Sequence, residues 1–76
     1  MYVGTELGSA PLHTALTLVA APDSHRQRLS SLGLRVGTRF SLLSKTAGGG
    51  RVALVTGSRI ALGSSLLADL RVDVAR

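Results

Sequence analysis

Two histidines and four carboxylates are the side chains of this 76-residue sequence that suit metal binding or proton transfer. His13 and His25 are separated by a long stretch, and the spacing fixes no third ligand beside them. A ferrous site normally adds a carboxylate to histidine, and Asp23 is the neighbour that fits. We treat both histidines as weak metal candidates only, interpret them as solvated, and expect no resident metal and no other cofactor.

Catalytic groupings are missing from the sequence as well. The chain has no cysteine, which excludes thiol catalysis, thiolate zinc sites, cysteine-ligated iron–sulfur clusters and disulfides. It has no nucleophile elbow, no paired carboxylates within one segment and no histidine with an orienting partner at a readable spacing. We therefore predict that this protein is not an enzyme.

Basic residues are the more informative group. The formal net charge is +5, with nine Lys and Arg scattered along the chain rather than gathered in one arm. Such a charge suits acidic protein surfaces, nucleic acid or anionic membranes. A face that could receive an acidic partner is predicted at Arg26, Arg28, Leu29, Arg35 and Arg59, and the alternative is that these arginines are ordinary solvated charges.

The elements that would position these residues begin with a strand and a helix. Residues 1–11 lack a clear period and are interpreted as a flexible lead-in. Leu16 and Leu18 alternate with Thr17 and Val19, which predicts a strand over 12–21 with one face buried. Ser24 and Gln27 match a capping box that starts a helix with Leu29 and Leu32 on its inner face. Gly33 is expected to end that helix in a left-handed conformation, with Leu34 packed back on it.

The remainder of the chain reads as short strands. Strands are predicted over 39–45, 51–55, 59–62 and 70–74, with a helical turn over 64–69. In the second of these, Val52 and Leu54 are expected to face inward. Gly37 opens the first of these strands, Gly48–Gly50 form a flexible tip, and Gly57-Ser58 predicts a type II′ hairpin. These elements predict a mainly β fold, a small five-stranded barrel, because closing so small a sheet into a barrel removes its exposed edges.

Two runs of this sequence resemble the FeoA family. Residues 26–38 are similar to the first signature of the family. They contain an Arg-Leu pair, then Leu-Gly-Leu, then the glycine that opens a strand. Residues 52–62 are similar to the second signature, which consists of a strand, a glycine turn and the strand Arg-Ile-Ala-Leu. Residues 68–72 fit the closing helix and strand of the family. The resemblance covers residues 12–74. It departs at Gly63, where the family usually has a basic residue, and at the plain glycine run 48–50.

The resemblance implies an SH3-like domain over residues 12–76 that acts as an accessory or regulatory module of bacterial ferrous iron uptake. It implies a cytoplasmic location and binding to the GTPase region of a FeoB-type transporter, with the membrane reached only through that partner. Weak self-association is left open. Two alternatives remain: a detached metal-sensing domain related to iron-dependent repressors, and a small basic nucleic-acid-binding barrel. Nucleic acid is not expected as a partner, because two aromatic residues are too few for base stacking.

Overall fold

The computed structural model describes residues 4–74, which form an antiparallel six-stranded sheet with two short helices. The strands are β1 (Thr5–Glu6), β2 (Leu16–Ala20), β3 (Arg39–Lys45), β4 (Arg51–Val55), β5 (Ser58–Leu62) and β6 (Arg71–Val74). The helices are α1 (Asp23–Ser31) and α2 (Ser64–Asp69), and short 3-10 turns span Leu7–Ser9 and Ala47–Gly49. The mainly β architecture, with one helix after the first predicted strand and a helical turn before the last, is confirmed.

The sheet has the strand order β1-β6-β2-β3-β4-β5. β3 joins two halves of the sheet: Arg39 and Phe40 pair with β2, whereas residues from Ser41 to Lys45 pair with β4. Within residues 4–74, β1 and β5 are therefore edge strands. This differs from the expectation that closure would remove the edges, because main-chain pairing does not join β5 to β1.

The sixth strand lies where the sequence predicted a lead-in. Thr5 pairs with Val72 and Glu6 with Arg71, and the Leu7 N–H donates to the Leu70 carbonyl at 2.9 Å. Leu7 is fully buried. The folded part therefore starts well before residue 12, and the predicted count of five strands is one too few. Of the predicted lead-in, residues 1–3 lie outside the described residues.

The core is built from aliphatic side chains and one aromatic residue, Phe40, which the sheet and both helices contribute together. The buried hydrophobic residues include Leu16, Leu18, Phe40, Leu42, Leu62, Leu67, Leu70 and Val72. In β4 the buried residues are Ala53 and Val55, not Val52 and Leu54 as predicted. All four residues are apolar, so hydrophobic alternation could not select a face, and a slip of one residue turns a strand over.

Helix α1 ends as predicted but begins differently. Its N-cap is Pro22, whose carbonyl accepts the His25 N–H at 3.0 Å, and no side chain caps the helix. The predicted capping box is therefore wrong. At the other end, the Leu34 N–H donates to the Leu29 carbonyl at 2.9 Å and the Gly33 N–H to the Ser30 carbonyl at 3.0 Å. This pattern is a Schellman motif.

The C-cap also explains why Leu32 does not share the inner face with Leu29. Leu29 is 1% exposed and Leu34, after the glycine, is equally buried. Leu32 is the C-cap residue itself and remains 41% exposed. The prediction that Leu32 packs into the core is therefore wrong.

The three glycines predicted to be structural all have positive φ angles: Gly33, Gly37 and Gly57. In the β4–β5 hairpin the loop is Thr56-Gly57, because Val55 pairs with Ser58. Both loop residues have positive φ, which defines a type I′ turn rather than the predicted type II′.

Replacing Gly33 by valine is expected to lower the free energy of unfolding by about 1–2 kcal/mol or more, because its φ of +88° is costly for a β-branched residue. The space itself is not the obstacle, since a Cβ at this position would come no closer than 3.7 Å to Thr56. Gly33→Asn is the matched control, because asparagine tolerates this conformation. Thermal unfolding distinguishes them, and equal melting temperatures for the two variants would contradict the strain argument.

Candidate partner-binding site

Two clefts lie beside α1, and they separate the residues that the sequence had grouped. The first, which we call the arginine cleft, has a volume of about 230 Å³ and apolar walls from β2, α1 and the loop before β3. It is lined by Leu18, Ala21, Arg26, Leu29, Ser30, Leu34, Arg35 and Val36.

The second cleft lies between α1, the end of β5 and α2. We call it the edge cleft, since β5 is an edge strand. Its volume is about 260 Å³, and it is lined by His25, Arg28, Leu29, Leu32, Ala61, Leu62, Gly63, Ser65 and Leu66.

The two arginines of the arginine cleft are held in place through their Nε atoms. Arg26 Nε donates to the Ala21 carbonyl at 3.2 Å and lies 3.4 Å from the Asp23 carboxylate. Arg35 Nε donates to Ser30 Oγ at 3.0 Å. Within residues 4–74 the Nη atoms of Arg26 and Arg35 have no hydrogen-bond partner. Both guanidinium groups therefore keep donors for a carboxylate while part of their motion is already restricted.

An exposed apolar residue completes the arginine cleft. Val36 is 52% exposed, whereas Leu34, two residues earlier, is buried. Val36 lies in the turn that follows Leu34, in which the Thr38 N–H donates to the Arg35 carbonyl at 2.9 Å. Aliphatic surface with oriented cations at its rim is suited to binding a protein segment.

The structure brings together only part of the predicted binding face. Arg26 and Arg35 share one cleft, whereas Arg28 lines the other. Arg59 is exposed on β5 and lines neither of these two clefts. Leu29 lies at the floor of both but is 1% exposed, so it belongs to the core and offers little surface to a partner.

The two histidines have different surroundings. His13 is exposed, and its N–H donates to the Leu42 carbonyl at 2.8 Å. His25 Nε2 lies 3.4 Å from Asp69, not beside Asp23, which pairs with Arg26. Residues 4–74 hold no group of three metal-ligating side chains. A histidine–aspartate pair supplies fewer ligands than a transition-metal site needs, so the metal-sensing alternative gains no support.

Sequence reasoning missed Val36 and Asp69. Asp69 is distant from His25 in the chain, and no local pattern relates them. The exposure of Val36 could have been predicted. It lies between Arg35 and Gly37 in a turn, and a large apolar residue in a turn is exposed unless another element covers it.

The sheet, the helix after β2 and the two clefts beside α1 define a small SH3-like β domain. This chain belongs to the FeoA family, whose model, described as FeoA domain, matches residues 6–74. The comparison with curated proteins found no match.

Solved structures confirm the SH3-like fold. The crystal structure of an iron uptake regulatory protein (FeoA) is 24% identical with a TM-score of 0.83, over 97% of this chain and 100% of that chain. The solution structure of an FeoA-like protein from Clostridium acetobutylicum is 19% identical with a TM-score of 0.82, over 100% of this chain and 92% of that chain.

Family membership implies a role in ferrous iron transport, and the family consists of small accessory domains rather than enzymes. In residues 4–74 no helix is both long and apolar enough to cross a membrane.

Proposed function

We propose that this protein is a cytoplasmic accessory module of bacterial ferrous iron uptake that binds the GTPase region of a FeoB-type transporter through the arginine cleft. One observation carries the proposal: two oriented arginines flank a cleft that contains an exposed valine. The partner surface would present a carboxylate to Arg26 or Arg35 and an apolar side chain to Val36. The membrane is reached only through that partner.

The two cleft arginines gain little additional order when a partner binds. Immobilising a long side chain opposes association by about 0.5–1.5 kcal/mol. Arg26 and Arg35 are already tethered by hydrogen bonds within the domain, so this cost is reduced. The net charge of +5 favours encounter with an acidic surface, and that attraction weakens as salt screens it.

Reversing both cleft arginines, as Arg26→Glu with Arg35→Glu, is expected to slow association with the isolated GTPase region about tenfold or more at low salt, because rim charges chiefly steer encounter. Val36→Asp is expected to accelerate dissociation instead, since it places a charge on the apolar contact. Surface-immobilised binding at low and high salt measures both rates, and circular dichroism checks the fold.

The matched control is Arg39→Glu with Lys45→Glu. Both residues are exposed on β3, line neither described cleft, and change the net charge by the same amount. If this control slows association as much as the cleft variant, the effect is one of overall charge and the arginine cleft is not the site.

A further inference from the structure

The outer edge of β5 carries main-chain groups without a neighbouring strand. Val55 and Ser58 flank a two-residue loop and therefore form a hydrogen-bonded pair, as do Ala53 and Ile60 two residues further on. The N–H and carbonyl groups of Arg59 and Ala61 consequently point away from β4. Within residues 4–74 the sheet ends there. Exposed edges of this kind accept an additional strand.

The edge cleft lies along this same strand. Ala61, Leu62 and Gly63 form one of its walls, and α1 and α2 form the others. Leu32 projects into it while 41% exposed, and Leu66 is only partly buried. Apolar side chains of a strand added to β5 would reduce the exposure of both leucines, which favours binding.

The two faces of β5 differ in chemistry. Ile60 and Leu62 face the core side and are partly or fully buried, whereas Arg59 and Ala61 are exposed on the opposite side. An added strand would therefore place alternate residues on the face of Ile60 and Leu62 and on the face of Arg59 and Ala61. Arg28 lines the cleft and adds a second cation near this edge, and Asp69 lies 3.4 Å from His25 Nε2. These charges favour acidic residues in the incoming strand.

We propose that the β5 edge binds an extended segment of a partner protein in which acidic and apolar residues alternate, as an added strand beside Arg59 and Ala61. The charges argue against a second copy as occupant, since each copy carries a net charge of +5. This site lies on the other side of α1 from the arginine cleft and is independent of the function proposed above.

The probe is a fluorescein-labelled peptide of about six residues that alternates glutamate and valine. We expect saturable binding by fluorescence anisotropy, with slowed amide exchange at Arg59 and Ala61 in the bound protein. Two further peptides test the geometry without altering the protein. One is N-methylated at its odd-numbered residues and the other at its even-numbered residues. We expect one of these two peptides to bind about tenfold or more weakly and the other to bind nearly as well as the unmethylated peptide, because only alternate amides of an added strand face β5.

Two protein variants complete the test. Arg59→Ala is expected to weaken binding, whereas Arg39→Ala, an equivalent loss of one exposed cation from β3, is not. Equal loss for both N-methylated peptides, or unchanged amide exchange at Arg59 and Ala61, would overturn the strand-addition proposal. If exchange at these amides slows without peptide as the protein concentration rises, a second copy of the protein occupies the edge. That result would also overturn the proposal.

Discussion

Replacing Gly50 by alanine is expected to lower the free energy of unfolding by about 1–3 kcal/mol, because the added methyl group overpacks a buried site. A Cβ at Gly50 would lie 2.7 Å from the Leu62 carbonyl oxygen and 2.6 Å from Thr46 Oγ1. The threonine side chain is able to rotate away. The Leu62 carbonyl is main chain within β5, where β4 and β5 pair, so relief requires the two strands to separate locally.

Gly63→Ala is the matched control for this substitution. Gly63 has an extended backbone like that of Gly50, and a Cβ there meets nothing within 4 Å. Both substitutions restrict the unfolded chain equally, which favours folding by about 0.4–1 kcal/mol. Chemical denaturation of the two variants therefore isolates the steric term. A Gly50→Ala protein as stable as Gly63→Ala would show that the close approach is not required.

Replacing Arg51 by methionine is expected to lower the free energy of unfolding by about 2–3 kcal/mol, because it removes the hydrogen bonds of a charged guanidinium group and leaves the partly buried Gly8 carbonyl without that donor. Arg51 Nη1 donates to the Gly49 and Gly50 carbonyls at 2.9 and 2.8 Å, and Nη2 donates to the Gly8 carbonyl at 3.1 Å. Gly8 follows β1, and Arg51 begins β4. A side chain thus connects β4 to the 3-10 turn after β1, although main-chain pairing does not join β1 to β4.

This geometry predicts where the variant loosens first. Without Arg51, the 3-10 turn after β1 loses its tie to β4, so amide exchange at Leu7 should accelerate more than exchange at Leu18 in the sheet interior. Arg39→Met is the control, because Arg39 is exposed on β3. Uniform acceleration at both amides, or a loss of stability no greater than that of Arg39→Met, would contradict the bridging role.

Several local features of this protein were set by the sequence itself. The alternation of Leu16 and Leu18 located a strand and its buried face, and both are buried. Gly33 followed by Leu34 located the end of α1, since a left-handed residue and its apolar successor form a motif over a few neighbouring positions. The signatures in residues 26–38 and 52–62 were sufficient to indicate the FeoA family, which the family model confirms over residues 6–74.

The candidate site was predictable only in part. The basic residues around α1 were visible in the sequence, but their division between two clefts was not. Arg26 and Arg28 are close in the chain yet line different clefts, because two residues along a helix are on different sides of it. Val36 and the β5 edge became apparent only once the neighbouring elements were in place.

Tertiary structure alone decided the features that depend on distant partners. Thr5 and Glu6 form a strand because β6 pairs with them. Ala53 rather than Leu54 faces the core, because the pairing of β4 with β3 and β5 selects one side of its apolar stretch 52–55. His25 meets Asp69, and Arg51 reaches Gly8, across turns of the fold that no local period encodes. Hydrophobic period and turn chemistry act over neighbouring residues, whereas strand partners, strand faces and side-chain bridges are settled by contacts between segments far apart in the chain.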